Sequence, residues 1–392
     1  MVPTVAQVTS HGEADRERDG DLVVRILVDA FWWVDGPYSN RLVLREIVGR
    51  WRSAFPDDEL VLAIPSKWSN SEAALPAGVE RIPTRMRRHP TINAIELPRY
   101  LRKGRDFDAI FLQNFGAPTS SAAVLVHDVL FQSNPEWFTT IERLYLSAIP
   151  FLAKRTGRVL TTTRQEAERV SAYNSISSEV GVTGLGLSTT LLEARRRKPP
   201  YPLEAGGFLL TVGRLNIRKN LANTIAAALE SGAVSERFPL VVVGQRSGRF
   251  SESSESVRSG VASGAVRFIE FAPDEELRWL YENCALFCFL SLGEGYGLPP
   301  VEAAYFGARV LVSDIPVLRE NLGDCAEYVD PHDVSAISNA IAELLAGTAR
   351  GQGSAPPLRA EGAITGDWDG TVETIRTAIA ELADRKLDRL SR

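Results

Sequence analysis

Soft and imidazole side chains are scarce: 392 residues hold three cysteines, two methionines and four histidines. Cys284, Cys288 and Cys325 are too few and too unevenly spaced for a disulfide framework. Cys284 and Cys288 flank an apolar Ala-Leu-Phe stretch and read as core thiols. His11, His89, His127 and His332 are scattered and lack a ligand spacing such as HExxH, so no metal is expected. Positive charge is not in excess. Lys+Arg number 44 against 49 Asp+Glu, a net charge of -5, which argues against a general nucleic-acid binder. No apolar run reaches the roughly 18–20 residues of a membrane span. Residues 1–20 are polar, lack the apolar centre of a secretory signal, and read as a flexible leader. A reduced, cytoplasmic protein is expected. Also missing are GxGxxG after the first strand, GxxxxGK[ST] and GxSxG. Their absence removes the dinucleotide fingerprint, the P-loop and the usual hydrolase elbow.

What is present is ordinary globular composition, with 44% hydrophobic and 24% charged residues over a length that favours two domains. Apolar runs alternate with helical patterns, the mark of parallel α/β architecture. Strands are expected at 22–29, 59–65, 109–114, 122–128 and 158–163, with helices at 40–51, 142–156 and 164–173. A Gly/Ser/Thr-rich connector follows, and then RRRKPPYPLEAGG. A second series starts with strands at 208–213, 238–244, 265–271, 285–291 and 308–314, and helices at 335–347 and 368–387. Two Rossmann-like domains facing across a cleft are predicted: 21–188 and 189–355, with 356–392 returning to the first. Ligands of such sheets sit at the carboxyl ends of strands.

Three constellations fall there. SLGEGYGLPPVEAAYFGARVLVSD (291–314) runs strand, Gly-rich loop, helix, strand. Gly293, Gly295 and Gly297 allow close backbone approach, and Pro299 and Pro300 suit a first helical turn. The free N–H groups and positive dipole of that helix start suit an anion or sugar oxygens. Glu294 and Glu302 can each accept hydrogen bonds from vicinal hydroxyls. In TVGRLNIRKN (211–220), Arg214 follows a strand and Lys219 opens a helix. Cations there oppose the dipole unless an anion lies between them. In LVHDVLFQSNPEWF (125–138), His127 follows a strand, with Asp128 to orient it or cap the next segment. The plain alternatives are a dipole-compensating Glu, solvated cations and a structural histidine. Two DxD strings, at Asp106 and Asp367, read as helix-cap and turn acids rather than metal ligands. Arg85, Arg87, Arg88 and His89, with Arg99, Arg102, Lys103 and Arg105, form a basic cluster for an anionic membrane or acceptor, or a solvated face. Phe31, Trp32 and Trp33 offer a sugar-stacking platform or core.

EGYGLPPVEAAYFGARVLVSD resembles the E-x7-E signature of retaining, nucleotide-sugar-dependent glycosyltransferases of family 4, and GRLNIRKN and VHDVLFQSNPEWF are similar to further segments of that family. The resemblance implies an α/β GT-B fold. It implies that Glu302 binds ribose hydroxyls and Glu294 the donor sugar, helped by backbone at Gly295, Tyr296, Gly297 and Leu298. Arg214 and Lys219 would neutralise the diphosphate, His127 would contact the sugar, and Gly36 would lie at the phosphates. Ile269 would lie at the base. The implied reaction is same-face, metal-free transfer of a hexose or deoxyhexose to a glycan or glycolipid acceptor, in cell-envelope or surface polysaccharide synthesis. No cofactor is implied beyond the nucleotide-diphosphate sugar. GDP-mannose leads, with UDP- and dTDP-sugars as alternatives. Peripheral contact with the cytoplasmic membrane face is a further expectation, and nucleic acid is not a partner. The competing reading is an inactive GT-B scaffold that binds a nucleotide sugar or a protein.

Overall fold

The structure, a computed structural model, describes residues 17–18, 21–68, 71, 75–102, 107–176, 179–245, 255–349 and 367–390. The expected leader (apart from 17–18) lies outside the described residues, as do the Ser/Gly-rich stretches at 246–254 and 351–366 and Lys103, Arg105 and Asp106; of Arg102 only the backbone is described.

Two parallel sheets carry the architecture. The first has seven strands: β1 (Arg25–Asp29), β2 (Glu59–Pro65), β3 (Glu80–Thr84), β4 (Ala109–Gln113), β5 (Ala122–Val126), β6 (Arg158–Thr161) and β7 (Gly181–Val182). Their order is β3-β2-β1-β4-β5-β6-β7. The second has six: β8 (Leu209–Val212), β9 (Leu240–Val243), β10 (Val266–Ile269), β11 (Leu286–Phe289), β12 (Val310–Ser313) and β13 (Glu327–Val329), in the order β10-β9-β8-β11-β12-β13. Central strands such as β4, β5, β9 and β11 are buried along their whole length. Helices cover both faces, so these strands read as unbroken apolar runs.

Ten helices matter here: α1 (Tyr38–Ala54), α2 (Thr140–Leu146), α3 (Ala148–Ala153), α4 (Arg164–Asn174), α5 (Leu221–Glu230), α6 (Asp274–Asn283), α7 (Leu298–Tyr305), α8 (Pro316–Leu322), α9 (Val334–Ala349) and α10 (Trp368–Leu390). Local chemistry sets their starts. Thr139 and Glu142 form a reciprocal capping box on α2, and Thr163 accepts the Glu166 N–H on α4. The expected single helix at 142–156 is broken into α2 and α3; Pro150, the third residue of α3, has no N–H to give the Leu146 carbonyl and continue the ladder. Sequence reading missed β3, β7 and β13, which are short edge or flanking strands with Pro or Gly in two of them.

α10 packs against α1 and the first sheet. Its Trp368 indole donates to the Leu187 carbonyl at 2.7 Å, and Arg376 Nε reaches Asp58 at 2.9 Å. Among the described residues, no helix is long and apolar enough to cross a membrane.

Candidate active site

Carboxyl ends of both sheets converge on one crevice. β11 ends at Phe289, and the chain turns through Ser291–Gly297 into α7. Gly297 takes a φ of +88, and a Cβ there would meet the Leu318 side chain at 2.6 Å. This forces the sharp entry into α7, whose first turn carries an N–H at Leu298 and none at Pro299 or Pro300. Across the gap, His127 and Asp128 follow β5. A Cβ on Gly295 would lie 2.6 Å from the His127 carbonyl oxygen, and one on Gly293 would lie 2.9 Å from the Trp137 ring. The Thr162 and Thr163 hydroxyls donate to the Gly295 carbonyl at 3.1 and 3.3 Å. Glu320 of α8 accepts the Arg164 and Gln165 N–H groups at 2.8 and 3.0 Å, capping α4 from the other sheet.

Charge is concentrated in this crevice. Glu294 is buried, and Lys219 Nζ donates to its Oε1 at 2.6 Å. Ser291 Oγ donates to the same oxygen, and Arg218 lies 3.5 Å from Oε2. Burial pushes the Glu294 carboxyl up, but the Lys219 and Arg218 charges outweigh it and hold its pKa below the ordinary value. Burial lowers the Lys219 pKa, and Glu294 draws it only partly back. For Arg218, Glu294 and Asp128 outweigh burial and raise the pKa. Arg218 also sits 4.0 Å from Asp128, so one guanidinium bridges acids from both sheets. Arg214 opens to solvent and makes no side-chain hydrogen bond or ion pair among the described residues. Burial of its surroundings, then the nearby Arg218 charge, depress its pKa. The crevice therefore combines a paired cation, a shared cation and an unpaired one.

Glu302, one turn into α7, sits in a different setting. It accepts from the Tyr281 hydroxyl at 2.9 Å and meets no cation among the described residues. Burial raises its pKa to about 7. Tyr38, at the start of α1 on the opposite domain, is close enough to feel its charge. His127 Nε2 lies 3.2 Å from Gln113 Oε1, and the His127 backbone N–H donates to Asn114 Oδ1 at 3.1 Å. Burial depresses its pKa to about 4, so the imidazole is neutral near pH 7.

The structure thus gathers Glu294, Lys219, Arg214 and His127 around one crevice, with Glu302 on the helix leading from it. Lys219 and Glu294, expected to address different parts of a ligand, are direct partners here. Gly36 takes a φ of +120 and abuts the Trp32 ring in the loop after β1. The Ile269 side chain is 3% exposed and packed in the core, and its carbonyl accepts the Gly244 N–H at 2.9 Å. Tyr296 is also held inward, its hydroxyl donating to the Leu185 carbonyl at 2.7 Å. Leu298 opens α7.

Other expectations are corrected. His89 does not belong to an exposed basic cluster. It is 0% exposed, with Nε2 2.6 Å from Asp29 Oδ2, while Arg85, Arg87, Arg88 and Arg99 are exposed. Asn93 donates to both Asp29 and the Phe115 carbonyl. Trp32 and Trp33 are core, and Phe31 stacks on His89 at 4.3 Å, so these three rings form no open platform. The DxD acids need no correction: Asp367 accepts the Gly370 N–H at the start of α10, and Asp108 accepts the Arg25 N–H.

Sequence reasoning missed Arg218, which is adjacent to Lys219 in the same cationic run. It also missed Glu166, whose Oε1 accepts the Val129 N–H at 2.7 Å and fixes the segment after His127. Burial raises the Glu166 pKa to about 8.

Residues 195–352 match the family described as Glycosyl transferases group 1. Among characterised relatives, the O-antigen chain mannosyltransferase B of Escherichia coli is 27% identical over 232 residues, which is 57% of this chain and 61% of that protein. A serotype-specific mannosyltransferase WbdA of Escherichia coli is 30% identical over 207 residues, covering 49% of this chain and 25% of the relative. The match thus spans less than two thirds of these relatives' length. Among solved structures, sucrose-phosphate synthase from Thermosynechococcus elongatus superposes with a TM-score of 0.64 at 17% identity, over 94% of this chain and 99% of that one. WaaG, a glycosyltransferase involved in lipopolysaccharide biosynthesis, gives 0.60 at 15% identity, over 93% and 98%. The chain has the GT-B fold and carries a group 1 glycosyl transferase domain over residues 195–352.

Proposed function

We propose that this protein is a retaining glycosyltransferase. It moves a hexose or deoxyhexose, with mannose from GDP-mannose as the leading case, to a hydroxyl of a glycan or glycolipid in surface polysaccharide synthesis. The observation that carries this reading is the crevice pairing of Lys219 with Glu294, flanked by Arg218 and the unpaired Arg214. A diphosphate is the ligand this excess of positive charge suits, and Arg214 stands ready without losing a partner. Relatives named as mannosyltransferases make mannose the first sugar to test.

In this reading the bond from the anomeric carbon to the phosphate oxygen breaks while negative charge grows on the phosphate. Arg214, Arg218, Lys219 and the Leu298 N–H at the start of α7 stabilise that charge, each such donor contributing about 3–4 kcal/mol. The leaving phosphate oxygen takes the acceptor proton on the same face, and the acceptor oxygen bonds to the anomeric carbon. No side-chain base is needed. Glu294 accepts sugar hydroxyls once the diphosphate competes for Lys219. Glu302, uncompensated by any cation, accepts the ribose hydroxyls. His127, neutral, holds the sugar near the reacting carbon. Gly36 lets the loop after β1 approach the phosphates. The cations supply the charge that a divalent metal would otherwise bring, so activity should survive a chelator.

Thermal unfolding with GDP, UDP and dTDP identifies the base, since only the matching nucleotide stabilises strongly. Transfer from GDP-mannose with product anomers read by NMR then tests retention. Nucleotide binding without transfer or hydrolysis from any sugar donor would replace this reading with the inactive scaffold.

A further inference from the structure

α2 and α3 expose more large apolar side chains than any other stretch of similar length among the described residues. Ile141 is 82% exposed, Leu144 76%, Phe151 58% and Tyr145 41%. With Ala148, these positions recur every three or four residues, and Ser147 between the helices keeps a right-handed helical backbone. Helical spacing therefore lines them up as a ridge. α3 is anchored beneath by buried Ile149, Leu152 and Ala153, while α2 buries no residue at all.

Cations flank the ridge. Arg143, Lys154 and Arg155 are exposed, and the Arg155 guanidinium lies 4.0 Å over the Phe151 ring. The opposing acid in these helices, Glu142, is occupied: its Oε2 accepts the Thr139 N–H and hydroxyl at 2.7 and 2.8 Å. The ridge also borders the crevice. The Tyr145 ring meets Phe115 edge-on at 5.0 Å, and Glu142 is near enough to act on the charge of Arg214 across the gap.

An exposed apolar ridge needs a cover. Two copies of this chain meeting ridge to ridge would bring like charges together. A bilayer surface with anionic headgroups satisfies both halves of the pattern: its acyl boundary takes the apolar side chains and its phosphates take the cations. The Arg85–Arg105 stretch, where membrane contact was expected, has the charge without the apolar part. Ile95 is its only exposed large hydrophobic side chain among the described residues.

We propose that the α2–α3 ridge seats in the headgroup layer of an anionic lipid bilayer, turning the mouth of the crevice toward the membrane surface. The surface works without donor or transfer, so its failure leaves the proposed activity standing. The test is co-sedimentation of the full chain with phosphatidylglycerol–phosphatidylcholine vesicles against phosphatidylcholine alone. The unaltered chain should bind the anionic vesicles and leave the neutral ones. Ile141→Ser/Leu144→Ser/Phe151→Ser and, separately, Lys154→Glu/Arg155→Glu should each lower apparent affinity at least tenfold, with nucleotide-induced thermal stabilisation retained as the check on folding. If the apolar variant does not fold, the charge variant carries the test. The proposal is overturned if the unaltered chain ignores anionic vesicles or if the folded variants bind them within twofold of it. A dimer in sedimentation velocity that the apolar variant dissolves would also overturn it, in favour of a second copy as the cover.

Discussion

The two walls of the crevice hold their charges in opposite ways. On the second-sheet wall, Lys219, Arg218 and Glu294 meet beside Arg214, which is exposed and unpaired among the described residues, with positive charge in the majority. On the first-sheet wall, Asp29 and His89 pair at 2.6 Å with side chains 1% and 0% exposed, beneath Phe31, Trp32 and Phe115. A pair that borders a crevice can exchange partners when an anion arrives. A pair sealed under aromatic rings cannot, and it serves to fix the end of β1 against the segment at 89–93. Chemically similar contacts are thus framework on one wall and, in the proposed function, machinery on the other.

Breaking the sealed pair should have the largest effect. His89→Ala takes the imidazole from the buried Asp29 carboxylate and leaves it only Asn93 and backbone N–H groups, at a cost of about 3–5 kcal/mol in folding free energy. Denaturant titration reads this directly, and nucleotide affinity of the folded fraction should hold. A loss below about 1 kcal/mol would erase the distinction between the walls.

Lys219→Ala and Glu294→Gln should do the reverse. Each is expected to cut transfer by about 10²–10³-fold while leaving the far-ultraviolet circular dichroism intact, the size seen when one preorganised charge contact is lost. Near-normal rates in both would remove the machinery from the second wall.

Glu302→Gln should act on binding rather than turnover, weakening nucleotide affinity about tenfold by calorimetry, since hydrogen bonds to a charged group contribute roughly 1.5–3 kcal/mol. Its pH signature sharpens the assignment. Burial raises the Glu302 pKa to about 7, so below that pH the group is neutral and accepts hydroxyl hydrogen bonds less strongly. Nucleotide affinity should therefore rise with pH through about 7, and the rise should vanish in the Gln variant.

The smallest effect belongs to Asp128→Asn. The Arg218–Asp128 contact is 4.0 Å and partly solvated, so its loss should cost less than about 1 kcal/mol, read as a change in KM of under about fivefold.

The same contrast explains what the sequence made legible. Glu294, Lys219 and the Gly293–Gly297 turn lie in short contiguous runs whose local chemistry is odd without a ligand: glycines before a helix, and a lysine at a positive helix start. Strand cores such as β2, β4 and β9 announced themselves as unbroken apolar runs. The Asp29–His89–Asn93 cluster did not, because His89 stands among exposed arginines and its partner lies 60 residues away. Nothing local separates a buried histidine from its solvated neighbours; only the packing of Phe31 over it does. Glu166 was hidden similarly, as one more acid in the first turn of a helix, although it holds the segment after His127 from below. Trp32 shows the converse: its place in a loop after a strand left a stacking platform open as an alternative to core, and burial settles it as core.

One peptide links these parts. The Gly295 carbonyl is gripped by two threonine hydroxyls from the facing domain, and a methyl group on its α-carbon would collide with the His127 oxygen. A bare hydrogen at this position therefore sets the stand-off between the lobes to within the width of a methyl. Parting the lobes here means breaking both threonine contacts, so their spacing is written into the main chain as much as into the charged side chains beside it.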